Sequence, residues 1–109
     1  MEYTPDRWML LRFSKDQVVF YKVFATWAGG YLGTDSWQLN SGVTQLEETE
    51  THYLFEGTSG SVYKCGKMSY GSTMYGFGVL GDLMTKALDQ GTVIDALPDD
   101  TDFISISYE

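Results

Sequence analysis

One imidazole, His52, and one thiol, Cys65, are the only groups of their kinds in the chain. A thiolate beside an imidazolium is the starting point of cysteine nucleophilic catalysis. The two residues flank a hairpin sequence, Thr51-His52-Tyr53-Leu54-Phe55-Glu56, then Gly57-Thr58-Ser59-Gly60, then Ser61-Val62-Tyr63-Lys64-Cys65. With the turn centred on Thr58-Ser59, Glu56 faces Ser61, Leu54 faces Tyr63 and His52 faces Cys65. Opposed Cβ atoms in such a pair stand about 4.5–5.5 Å apart, so this register brings the two side chains into contact. A slip of one residue separates them. A thiol in mid-strand has neither a helix N-terminus nor an oxyanion hole beside it. Cys65 therefore reads first as a small core residue, and the Cys65–His52 dyad as the subordinate, catalytic reading.

Other reactive groupings are weaker. Structural zinc takes about four Cys or His ligands, and the chain offers two. The carboxylates Asp95, Asp99, Asp100 and Asp102 lack the alternating Asp spacing and distal Glu of a calcium loop, and read as a polar turn. Gly76-x-Gly78-x-x-Gly81 matches a bare dinucleotide-binding pattern, with Asp99 or Asp100 about twenty positions on. The chain lacks the repeated βα units that give this pattern its meaning. No metal and no cofactor is expected.

A recognition surface is better supplied. Glycine, serine and aromatic residues alternate through Ala28-Gly29-Gly30-Tyr31-Leu32-Gly33-Thr34-Asp35-Ser36-Trp37 and again through Ser69-Tyr70-Gly71-Ser72-Thr73-Met74-Tyr75-Gly76-Phe77-Gly78. Tyr and Trp give large contact area at low rotamer cost, and glycine allows sharp turns, which is the composition of binding loops. Tyr31, Asp35, Trp37 and Asn40 form the candidate binding group, joined by Tyr70 and Tyr75 if the two loops converge. The competing reading makes Tyr31 and Trp37 core aromatics flanked by turn glycines.

Charge and size narrow the function classes. Fifteen Asp and Glu against seven Lys and Arg leave a formal net charge of −8. That field repels phosphate backbones and no basic cluster offsets it, so direct nucleic-acid binding is not expected. The acids are spread rather than laddered, which favours solubility over imitation of a nucleic acid. A chain of 109 residues is one domain, and three Trp, eight Tyr and six Phe supply the bulk of its core. No run of about 18 apolar residues exists, so no membrane span is expected. Met1-Glu2-Tyr3-Thr4-Pro5-Asp6-Arg7 has no apolar stretch of a secretory leader, and a single cysteine forbids an intrachain disulfide. Together these point to the cytoplasm.

The elements that must position these residues are mostly strands. Trp8–Phe13 and Val18–Trp27 are rich in aromatic and β-branched residues, joined through Ser14-Lys15-Asp16-Gln17 as a four-residue loop. Both are apolar on both faces, so the pair is central and covered twice. Short strands are expected at Trp37–Leu39, Val43–Glu48, the hairpin around Gly57–Gly60, and Thr92–Ile94. Phe77, Leu80, Met84, Ala87 and Leu88 recur at helical steps, with Gly91 as the stop. After a turn at Pro98–Asp102, strict alternation over Phe103–Tyr108 predicts a closing strand with Ile104, Ile106 and Tyr108 inward. The fold class is α+β: a mostly antiparallel, strongly curved sheet or small barrel of about six or seven strands, with one helix in the C-terminal third packed on it. The leading functional expectation is a non-enzymatic protein that binds a protein partner, or a second copy of itself, through its Gly-, Tyr- and Trp-rich loops. A small-ligand or carbohydrate module using Tyr31, Trp37 and Tyr75 is the alternative, and a Cys65–His52 enzyme the third.

Overall fold

The computed structural model describes residues 1–29 and 34–108. Its eight strands and one helix run in the order β1 (Glu2–Tyr3), β2 (Arg7–Lys15), β3 (Val18–Trp27), β4 (Ser36–Leu39), β5 (Val43–Glu48), β6 (His52–Gly57), β7 (Val62–Gly66), α1 (Met74–Asp89) and β8 (Val93–Ala96). They form two four-stranded sheets, a central one ordered β4-β3-β2-β8 and an outer one ordered β1-β7-β6-β5. All pairings are antiparallel except β1 with β7. The sheets stack rather than close into a barrel, and α1 covers the far side of the central sheet, so the fold is α+β in three layers.

The two-faced hydrophobicity of β2 and β3 has its explanation in this layering. Trp8, Leu10, Val23 and Ala25 point at the outer sheet and pack with Val43, Phe55, Tyr63 and Cys65. Met9, Leu11, Phe13 and Phe24 point the other way, toward Leu80 of α1 and Ile94 of β8. Each of the larger side chains, once fully buried, contributes roughly 1.5–3 kcal/mol, so neither layer is dispensable. Trp8 and Tyr70 place polar groups at the seams and bond them within the fold. The Trp8 indole donates to Gly66 O at 2.7 Å, and the Tyr70 hydroxyl accepts from Leu10 N at 3.1 Å while donating to Leu97 O.

Three expectations about local structure are corrected. The β2–β3 loop is two residues long, not four: Ser14 and Lys15 pair with Val19 and Val18, and Asp16 and Gln17 both take positive φ, 50° and 67°. Such a turn matches the right-handed twist of the strands it joins. In the β6–β7 hairpin, Gly57 N donates to Ser61 O and Gly60 sits at φ 88°, so the loop has three residues instead of two. An odd loop moves the register by one: Tyr53 lies across from Cys65, and His52 across from Gly66. The third correction concerns Phe103–Tyr108, which forms no strand. Phe103–Ser105 is a single 3₁₀ turn whose Phe103 is buried against Trp8 at 5.3 Å, Tyr53 at 5.4 Å and Tyr70 at 5.6 Å between ring centres. A 3₁₀ turn brings i and i+3 to one side, so Phe103 and Ile106 pack inward while Ile104 is half exposed.

The helix behaves as its sequence requires. Thr73 caps it by accepting from Gly76 N at 3.0 Å. At its end Gly91 takes φ 77°, with Gly91 N donating to Leu88 O and Thr92 N to Ala87 O, which closes the last turn. Gly76 is required by packing, because a β-carbon there would stand 2.6 Å from Thr26 Cγ2. Among the described residues no helix is long and apolar enough to cross a membrane.

Candidate functional site

The revised register settles where the thiol and the imidazole lie. On β6 and β7, paired residues share a face. Tyr53, Phe55, Tyr63 and Cys65 point into the core, while His52, Leu54, Glu56, Val62 and Lys64 lie on the opposite, outer face. Cys65 is fully buried, its Sγ 3.6 Å from Tyr63 O, and burial pushes the thiol pKa well above its ordinary value. His52 sits at the mouth of a tight turn, its Nδ1 2.7 Å from Thr51 Oγ1. A sheet layer therefore separates the two side chains.

The described members of the candidate binding group have different surroundings. Tyr31 lies outside the described residues. Asp35 Oδ1 accepts from Gly29 N at 2.7 Å, and Asp6 Oδ2 from Ala28 N at 2.9 Å, so these carboxylates tie down the stems of the loop after β3. Asn40 is buried, with Oδ1 accepting from Val23 N at 2.8 Å at the point where β4 ends. Tyr70 is half-buried and uses its hydroxyl twice inside the fold; burial, its largest influence, pushes its pKa up to about 12. Trp37 stacks on Phe24 with one side open, and Tyr75 is exposed in the first turn of α1.

A concavity lies elsewhere, on the outer face of the outer sheet. Register sets its floor and walls. One row runs across all four strands as Glu2, Val62, Glu56 and Gln45, and the next runs Lys64, Leu54 and Glu47. The phase of β5 depends on an irregularity between Val43 and Gln45, which lets Val43 face the core and Gln45 face out. The result is a groove of about 430 Å³ lined by Glu2, Gln45, Leu46, Glu47, Leu54, Glu56 and Val62. Leu54 and Val62 supply the apolar floor; Val62 lies between Glu2 and Glu56, and Leu54 between Glu47 and Lys64. Gln45 Nε2 donates to Glu56 Oε2 at 2.9 Å, which fixes one wall.

This arrangement has defined chemical capacities. Its lining holds no nucleophile and no aromatic platform for a sugar ring. Among the described residues no three His, Cys, Asp or Glu side chains converge closely enough to hold a metal ion. An apolar floor with carboxylates beside it suits a side chain with an aliphatic stem and a cationic head.

No family model, no curated protein and no solved structure matches this chain.

The groove residues escaped the sequence reading because they come from four strands whose order is not consecutive. A signal was present in the alternation of Gln45 with Glu47 and of Leu54 with Glu56, which marks one face of a β5–β6 pair.

Proposed function

We propose that this chain is a non-enzymatic interaction module that holds a lysine- or arginine-bearing segment of a protein partner in the groove on its outer sheet. The single observation that carries the reading is the lining of the groove by Glu2, Glu47 and Glu56 beside the Leu54 and Val62 floor. A cationic side chain laid there keeps its stem on apolar surface and its head among carboxylates. The partner class is the one expected from composition, but the contact moves from the glycine- and tyrosine-rich loops to a sheet face. Tyr70 uses its hydroxyl inside the fold and Asn40 is buried, its Oδ1 accepting from Val23 N and its Nδ2 left without a partner, which supports that move. The burial of Cys65 supports a binding role over catalysis, and a free buried thiol suits the reducing cytoplasm. The net charge of −8 argues against a nucleic-acid partner.

A peptide alternating lysine with leucine, titrated calorimetrically against the chain, tests the reading. Exposed ion pairs are worth about 0.2–1 kcal/mol each, so Glu47→Gln and Glu56→Gln should each weaken binding by up to about fivefold. Leu54→Ser should weaken it too. The comparison variants are Asp99→Asn and Asp100→Asn, which remove the same charge from a turn outside the groove lining. Equal losses in both sets would mean that the peptide responds only to net charge, and the proposal would fail.

A further inference from the structure

Helix α1 carries two apolar stripes, and the central sheet covers only one of them. Leu80, Leu83, Met84 and Ala87 pack on that sheet. Beside them Met74, Phe77, Gly81, Met84 and Leu88 follow one another at steps of three, four, three and four, which is a single seam along a helix. Most of this seam is open: Met74 is 92% exposed, Phe77 51% and Leu88 63%. At about 100° per residue, the charged residues of α1, Asp82, Lys86 and Asp89, fall at least about 100° around the helix from its midline. A chain with net charge −8 thus keeps this strip neutral.

Among the described residues nothing packs where a side chain at Gly81, the centre of the seam, would stand, a freedom it shares with Gly78 about 60° around the helix. The Gly81 backbone is helical, and a β-carbon there would meet nothing within 4 Å. Glycine in a helix interior still costs about 1 kcal/mol relative to alanine. Gly76 earlier in the helix is different, being crowded by Thr26. The residues around Gly81 are arranged almost symmetrically: Met74 lies seven before and Leu88 seven after, Phe77 four before and Met84 three after. A two-fold axis through Gly81 would set Met74 against Leu88 of a second copy and Phe77 against its Met84. The two glycines would meet at the crossing, where the absence of β-carbons lets the backbones approach. Antiparallel helices also oppose their dipoles favourably.

We infer that the Met74–Leu88 seam of α1 is a self-association surface, occupied by the same seam of a second copy. Phe77 is the one aromatic of the seam and is half open, so with Met74 and Leu88 the open seam stays at or below about 400 Å² per copy. Stable interfaces use about 800 Å² per partner. The pair is therefore weak and forms at high protein concentration.

Sedimentation equilibrium of the full chain, from micromolar to millimolar concentration, tests this alongside thermal melting. The wild type should move toward twice the monomer mass. Gly81→Ala should raise the melting temperature, because the helix gains a better former, and weaken association about tenfold, because the crossing is blocked. Phe77→Glu should abolish association and retain a cooperative melt. A wild type that stays monomeric to millimolar concentration overturns the inference. So does a Gly81→Ala variant that melts higher and associates as well as the wild type. Loss of association in Glu56→Gln, a groove variant far from α1 in the sheet order, would assign the contact to the groove and equally overturn it.

Discussion

The Cys65 thiol, between Tyr53 and Tyr63 on the inner face of the outer sheet, belongs to the packing of the core. Burial raises its pKa above the ordinary 9.0, so the folded chain resists forming the thiolate. The thermodynamic consequence has a definite sign. Above about pH 9 the unfolded chain loses this proton while the folded chain keeps it, so the unfolded state binds fewer protons and stability falls as pH rises. The stabilisation is fully present below that pH. Tyr70, raised by burial from 10.0 to about 12, and Tyr63 and Tyr108, also raised by burial, extend the loss through the tyrosine range. The unfolding free energy from urea titration should be flat near neutral pH and then decline, by up to about 1.4 kcal/mol per pH unit for each group so affected. Cys65→Ala should delay the onset to about pH 10. At neutral pH a thiol-alkylating reagent should leave the native chain unmodified and label it once urea unfolds it. Rapid labelling of the native chain would contradict the core assignment and revive the catalytic one.

At the scale of elements, the β2–β3 hairpin holds the two non-glycine residues with positive φ among the described residues. Asp16 and Gln17 both occupy the left-handed region, where a residue with a β-carbon costs roughly 1–2 kcal/mol. Gln17→Gly removes that cost at one position and creates Asp-Gly, a favoured pair for this turn, against a glycine entropy term of about 0.5–1 kcal/mol. A net gain of about 0.5–1 kcal/mol is expected in urea unfolding; a loss of stability would show that Gln17 makes a compensating contact. The same hairpin shows what sequence patterns carry. Its two strands, α1 with Thr73 before it and Gly91 after it, and β4, β5 and β8 all follow from residue types that prefer those states. The β6–β7 register did not, because it depends on whether the turn holds two residues or three, and Gly57-Thr58-Ser59-Gly60 permits either. The segment after Pro98 misled for another reason. Its alternation suits a strand, but Phe103 gains more by entering the ring cluster of Trp8, Tyr53 and Tyr70 than by pairing along an edge. The groove was out of reach because Glu2, Val62, Glu56 and Gln45 become neighbours only once the strand order β1-β7-β6-β5 is known.

For the molecule as a whole, a neutral interior contrasts with an acidic exterior. The central sheet is buried on both faces by the outer sheet and α1. Where β3 runs beyond β4, the partly exposed Phe20 is shielded by Lys22, whose Nζ lies 6.0 Å from its ring centre and 5.7 Å from that of Phe13. A lysine so placed blunts an edge that would otherwise invite strand addition. Elsewhere the surface is negative, and among the described residues one ion pair, Lys67 with Glu48, joins opposite charges. Repulsion among carboxylates therefore outweighs attraction in the folded state. Salt should act on folding and on binding with opposite signs. Sodium chloride screens the repulsion, since the Debye length falls from about 10 Å at 0.1 M to about 3 Å at 1 M, so the melting temperature should rise by a few degrees. Over the same range the affinity of the lysine–leucine peptide should fall, because its attraction to Glu2, Glu47 and Glu56 is screened as well. Chloride is the right anion for this test, because sulfate strengthens apolar burial by itself. A melting temperature that fell with sodium chloride would mean that attractive pairs dominate the surface. Peptide affinity that rose with salt would mean that the Leu54 and Val62 floor, rather than the carboxylates beside it, holds the partner.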